Sequence, residues 1–438
     1  MLQHATNHIQ TRGQQPEITT LNNMILPQEQ KERWKFTNKL IFQFLFTYIV
    51  LYILLLFSSL LLETPLRWFA EYVLNWGADF TMESTGSGDR AFDYVRLGFN
   101  LFLTIPIVLI WSIIDLKRES YHKLFYWFQV IIRLTLIFAM LLYGFAKVFK
   151  GQFADHSLER LVQTVGHMSP MGLAWTFMGH SIFYNIFIGF IEILGGILLI
   201  FRKTVTLGSL VIIGVMSNVL MMNLTYDIPV KLVSVHLCMM ALILLQVNGQ
   251  RVFDFFFKNK TIEKVEYSVS LKNTNFKKII TISKRFLVLV VIGAVIIQTL
   301  IRFKATEQLK EKSEFYGIWE TQSFVKNKDI LSPLLTDTYR WRYLIVDEKN
   351  KAIVKKMTDS IDRYPFEINS DLNEIIFRST IDSISHRFLY RFINPQELVL
   401  NGTIYADSIS ILFKRKPKSD FRLINRKFHW VNETNYNH

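Results

Sequence analysis

The sequence predicts a multi-spanning α-helical membrane bundle of about seven spans, followed by a C-terminal all-β, barrel-like soluble domain. Three observations carry this. Half of the 438 residues are apolar and 14% are aromatic, with positive mean hydropathy, too greasy for an ordinary soluble chain. Seven apolar runs approach or reach the length that crosses a bilayer, and beyond Arg302 the pattern switches to period-two alternation.

The expected spans are 40–62, 97–114, 126–148, 182–201, 205–224, 230–246 and 286–301, the last two being the shortest. Basic residues collect in alternate connections. Arg33, Lys35 and Lys39 precede the first span, Lys117, Arg118 and Lys123 follow the second, and Arg202 and Lys203 follow the fourth. A basic stretch from Arg251 to Arg285 follows the sixth. The remaining connections are acidic or nearly neutral, so the positive-inside rule puts the N-terminus in the cytoplasm and the β domain in the periplasm or outside the cell. The net charge of +14 is thereby spent on topology, and with no recognition motif beside it nucleic acid is not an expected partner. A single cysteine, Cys238, excludes disulfides and CxxC-type metal or redox motifs.

The chain therefore divides into a disordered polar tail (1–30), two spans with an external loop (31–125), a four-helix block (126–250), a basic cytoplasmic loop (251–285), a seventh span (286–302) and the external antiparallel β domain (303–438). Between the third and fourth spans lies an amphipathic stretch, 157–165, followed by Trp175, Phe177 and Met178; it reads as an interfacial or re-entrant segment capping the bundle.

Glu192 sits in the middle of an apolar span, where an ionised carboxylate is costly unless partnered, and so marks a candidate site. Asn185, Gly189, Glu192 and Gly196 follow at steps of four, three and four, which places them on one helix face. Tyr143 and Lys147 form a similar pair on the third span, Gly214 and Asn218 on the fifth. Asn223, Asp227, Lys231 and His236 run through the next hairpin. Arg133 is expected to reach Glu192. Each has a plainer reading: Glu192 with Arg133 as a structural ion pair, Lys147 and Lys231 as snorkelling cations, Asn218 and Asn223 as interhelical hydrogen-bond glue. His236 lacks the second histidine that haem would require, and the methionines read as core filler, so no metal site is expected and no catalytic residue is identified.

The succession from Tyr143 to Lys147 (YGFAK), then Gly189 to Gly196 (GFIEILGG) and Thr206-Leu-Gly208, resembles the DoxX-like membrane proteins over about residues 126–247. That resemblance implies a four-helix bundle in a bacterial inner membrane, linked to quinone or membrane redox chemistry, with a quinone or lipid as ligand. The chain lacks the cysteines that sulfur transfer needs, so that activity is not implied. In the β domain, strands are expected at 316–325, 339–346, 374–380, 388–393, 398–405 and 408–413, with a turn at Asp347 to Asn350. Gly317-Ile-Trp319 is similar to the opening signature of lipocalin-like barrels, and 428–433 reads as a closing strand or an interface patch. Two functions follow: a quinone-linked redox module with an accessory barrel, or a non-enzymatic envelope protein anchoring a barrel that binds a lipophilic ligand or a protein partner.

Overall fold

The computed structural model describes residues 33–58, 62–76, 88–261, 286, 288–290, 292–301, 304, 313–379, 384–426 and 428–434. The expected tail and most of the basic loop lie outside the described residues. Among the described residues, five helices are long and apolar enough to cross a membrane: α1 (Phe36–Ser58), α3 (Ala91–Ile114), α4 (His122–Val148), α7 (Ile182–Ile200) and α8 (Val205–Thr225). Each coincides with one of the first five expected spans. The sixth, α9 (Lys231–Gln246), has 16 residues and bends by 77° into α10 (Gly249–Lys258). The seventh appears as the shorter apolar helix Val288–Ile301, which is described only in part. Short helices α2 (Glu63–Trp68), α5 (Leu158–Val162) and α6 (Pro170–His180) lie in the connections.

The chain forms two compact units whose boundary falls inside α4, near residue 129. The first holds α1 to α3. Its helices bury a small polar relay: Ser112 donates to the Gln43 carbonyl, the Gln43 amide to the Tyr121 hydroxyl, both at 2.7 Å, and Tyr121 to Asp115 at 3.0 Å. Phe42, Trp111 and Phe128 pack around it, so the polar groups satisfy one another inside an aromatic shell.

The second unit contains α4 onward and the β domain. Local sequence sets its helix starts. Ser157, Ser169 and Ser181 stand before α5, α6 and α7, and each hydroxyl accepts an amide of the first turn; Pro170 follows Ser169 at a position where no amide is needed. α9 is capped from a distance, because Asp89, just before α3, accepts the amides of Lys231 and Leu232.

α4 and α7 cross where Gly144 meets Gly189. A Cβ on Gly144 would stand 2.8 Å from the Gly189 carbonyl oxygen, and one on Gly189 would stand 2.6 Å from the Gly144 carbonyl oxygen, so the two backbones touch. On the other side of α7, a Cβ on Gly208 of α8 would meet the Gly195 carbonyl at 3.2 Å. Close approach through glycines therefore fixes α7 between α4 and α8.

The β domain is a closed antiparallel barrel. Its strands are β1 (Gly317–Lys326), β2 (Asp329–Ile330), β3 (Trp341–Glu348), β4 (Lys351–Lys356), β5 (Ile361–Asn369), β6 (Glu374–Arg378), β7 (Ser385–Asn394), β8 (Glu397–Ile404) and β9 (Asp407–Lys416). β1 pairs with β3, β3 to β9 pair in succession, the short β2 folds back on the end of β1, and β1 pairs with β9 to leave eight strands in the ring. Six strands lie where alternation predicts them; β2, β4 and β5 are additional. Asn401-Gly402 lies within β8, and 428–434 contains no strand among the described residues, since β9 does the closing. Inward residues such as Trp319, Phe366, Phe377, Phe388 and Phe413 are fully buried and fill the interior. The barrel is a packed core.

The glycine crossing gives a direct test. Gly144→Ala or Gly189→Ala should lower stability in detergent by about 1–3 kcal/mol through overpacking. Gly214→Ala, whose Cβ would meet nothing within 4 Å, should stay within about 1 kcal/mol of the parent. Thermal unfolding of the three variants compares them.

Candidate functional site

The glycine crossing positions the chemistry. Lys147 and Glu192 each lie three residues beyond a touching glycine, and Lys147 Nζ donates to Glu192 Oε2 at 2.8 Å. Their side chains are 6% and 3% exposed. The pair is buried, and it corrects two expectations at once. Glu192 is paired with Lys147 in place of Arg133, and Lys147 is drawn into the bundle with no snorkelling outward.

The reason lies in helix geometry. Arg133 stands 14 residues before Lys147, about 21 Å along α4 at 1.5 Å per residue, and α7 runs antiparallel to it. At that level α7 presents its C-terminus, whose last carbonyls have no partner within the helix. Arg133 takes them: Nε donates to Leu199 O and Nη2 to Ile200 O, both at 3.0 Å. A guanidinium at a helix C-terminus also meets the negative end of its dipole.

Above the ion pair is a partly open cavity of about 70 Å³. Tyr143 and Lys147 of α4, Glu192 of α7, Met216 and Asn223 of α8, and Ser234 and Leu237 of α9 line its walls. Gln152, Phe153, Trp175 and Met178, from the α4–α7 connection, complete it. Its surface is mostly apolar, with the ion pair, the Asn223 amide and Ser234 as polar points. The Lys147 ammonium also lies 5.7 Å from the Tyr143 ring centroid.

The remaining expected residues separate. Asn185 is buried and donates to Met178 O at 2.7 Å and Ser181 O at 3.1 Å, which joins α6 to α7. Asn223 is buried beside the cavity and donates to Ser234 Oγ at 3.1 Å. His236 is buried with Nδ1 2.6 Å from Leu232 O, a contact that places the proton on Nδ1 because a carbonyl only accepts. Asp227 and Lys231 form an ion pair at 3.0 Å with the carboxylate well exposed, a contact worth little. Asn218 and Gly214 face outward and do not line the cavity. The structure thus brings together Tyr143, Lys147, Glu192 and Asn223, and disperses the rest. No group of three or more His, Cys, Asp or Glu suited to a metal occurs among the described residues.

Sequence reasoning missed the contact between the α4–α7 connection and the barrel. The α4–α7 connection caps the bundle as expected through Phe153, Trp175 and Met178, but its amphipathic stretch turns to the barrel wall. Leu158 packs on Ile318, Tyr343 and Ile345, and its amide donates to Asp347 Oδ2 at 2.8 Å. Lys355 Nζ donates to Val162 O at 2.7 Å, and Glu159 pairs with Arg363. Burial pushes the Asp347 carboxyl up, and the Leu158 amide partly offsets this. Alternation in β3 and β4 holds the only sequence signal: Ile345 and Ile353 point out of an already filled barrel.

A bundle of apolar helices with a buried ion pair beside a partly open cavity, carrying a closed β-barrel, defines a membrane-helix protein with a β-barrel domain. A stretch covering 28% of the chain, 124 residues, is 37% identical to the uncharacterized protein YwoB of Bacillus subtilis (strain 168) and spans 79% of that protein. The chain belongs to the same family as YwoB. No family model and no solved structure matches it.

A double-mutant cycle tests the ion pair. Lys147→Met or Glu192→Met alone strands a buried charge and should cost about 3–5 kcal/mol, while the joint replacement should recover most of that loss. Arg133→Met should add independently to Glu192→Met. Equilibrium unfolding in detergent measures both relations.

Proposed function

We propose that this protein is a DoxX-like membrane protein that takes the head of a lipophilic molecule, a quinone, into the cavity walled by Lys147 and Glu192, with a lipocalin-like barrel as its external accessory domain. The observation that carries this reading is the buried Lys147–Glu192 pair beside a mostly apolar cavity. Size and charge select the ligand. Complete small-molecule pockets run to about 300–1,000 Å³, so about 70 Å³ admits a headgroup whose remainder stays in lipid. The pair is neutral overall and offers no net charge to an anionic phosphate, while the ammonium protons left over after one bond to Glu192 suit a carbonyl or hydroxyl oxygen. A carboxylate and an ammonium in contact with such a headgroup would also exchange protons with it, the proton half of quinone–quinol interconversion, whose two electrons would come from a separate redox partner.

The same reading gives the chain seven crossings with the barrel outside. α5 lies on the barrel wall, so the barrel belongs on the side of the α4–α7 connection. After the antiparallel succession α7, α8, α9, the chain is at the opposite side, and one more crossing by the helix Val288–Ile301 is needed to return it. The filled interior of the barrel favours docking over ligand carriage.

Two experiments test these claims. Quinone should co-purify with the parent protein in detergent and be detected by mass spectrometry, and should fall at least tenfold in the Lys147→Met, Glu192→Met protein, which keeps its fold. Equal quinone in both, or none in either, would sink the reading. For topology, a Ser419→Cys variant lacking Cys238 should react with an impermeant thiol reagent in intact cells; protection of that site would reverse the orientation.

A further inference from the structure

α9 ends and α10 leaves it at 77°. Continuing α9 as a span would carry Arg251, Asp254 and Lys258 into the hydrocarbon within twelve residues of Gln246, at several kcal/mol for each ion, whereas ending the span at Gln246 leaves only a modest length mismatch. α10 therefore starts at the bilayer surface by chain connectivity. Its sequence separates there into two faces. At about 100° per residue, Phe253, Phe256 and Phe257 share one arc with Val252, while Arg251 and Lys258 fall on the opposite one together with the single ring of Phe255. The three rings are 46%, 63% and 75% exposed, and Phe253 stacks on Phe257 at a centroid distance of 5.0 Å. Asp254 is engaged by Lys258 at 3.0 Å and by the Gln250 amide at 2.9 Å, so the polar face keeps a positive balance. Asn259 in the left-handed region closes the helix and sets Lys260 just beyond it.

We propose that α10 is an in-plane anchor that beds its phenylalanine face in the leaflet where α9 ends and holds anionic lipid headgroups with Arg251, Lys258 and Lys260. An apolar arc of aromatic rings backed by cations is the pattern of helices that lie in the headgroup layer, and each cation near an anionic surface favours association by about fivefold. A second copy of the chain would cover the rings equally well but brings the same net positive charge to the contact, whereas an anionic surface complements Arg251, Lys258 and Lys260 set against the single carboxylate of Asp254, so charge complementarity selects the lipid surface.

The test uses the full chain, with Cys238→Ser, in nanodiscs of phosphatidylcholine with and without phosphatidylglycerol. Nitroxides are placed at Phe257→Cys and Phe255→Cys, which lie about 160° apart on the wheel. With phosphatidylglycerol present, the label at 257 should relax with oxygen and be shielded from a water-soluble nickel chelate, and the label at 255 should show the reverse. The contrast should shrink several-fold when phosphatidylglycerol is omitted, or when Arg251→Gln and Lys260→Gln are introduced. Nickel access at both sites, shielding of 257 from both reagents, or spin–spin broadening at 257 from a second copy would each overturn the proposal. A contrast indifferent to lipid charge would overturn the anionic-lipid assignment.

Discussion

Direct contact between the α4 and α7 backbones at Gly144 and Gly189 is the constraint on which the rest of the bundle depends. With side chains at that crossing the helices would stand further apart, and Lys147 could not reach Glu192 without leaving one charge partly uncompensated in an apolar surround. The ion pair in turn keeps the wall of the cavity polar at one point. Packing of two hydrogen-sized side chains thus decides where the chemistry of the bundle lies, and Gly195 with Gly208 repeats the device on the other face of α7.

Much of this was legible in the sequence. Five spans, the β domain and six of its strands follow from apolar run length and period-two alternation, and the face of α7 that carries Asn185, Gly189, Glu192 and Gly196 follows from their spacing; all four are buried. The partner of Glu192 was not legible. Spacing within one helix says which residues share a face, but the register between α4 and α7 is set by the glycine contact, and that register decides which of Arg133 and Lys147, about four turns apart on α4, meets Glu192. Arg133 also had a competing demand that a linear reading underweights, the carbonyls left open where α7 ends.

The outward placement of Asn218 has a similar cause. Spacing of four residues pairs it with Gly214 on one face, but α8 packs on α7 through Gly208 and Ile212, and its buried stripe continues through Met216 and Asn223. That stripe follows helical spacing and leaves Asn218 off it. The strands β4 and β5 were missed because Lys351, Lys355 and Lys356, with Pro365 in β5, dilute the apolar signal, and because Lys355 is buried by a contact to Val162 that lies 193 residues away.

Four residues separate Phe153, at the roof of the cavity, from Leu158, seated on the barrel. The barrel is therefore tethered twice, covalently through the chain leading to residue 313 and noncovalently through α5, and the second attachment closes a ring whose entropy cost has already been met by the first. Such a short strap has little slack. Phe153 at the cavity and Leu158 on the barrel are thereby held within a fixed span of each other, so the lining of the cavity on that side is set by the same few residues that seat the barrel.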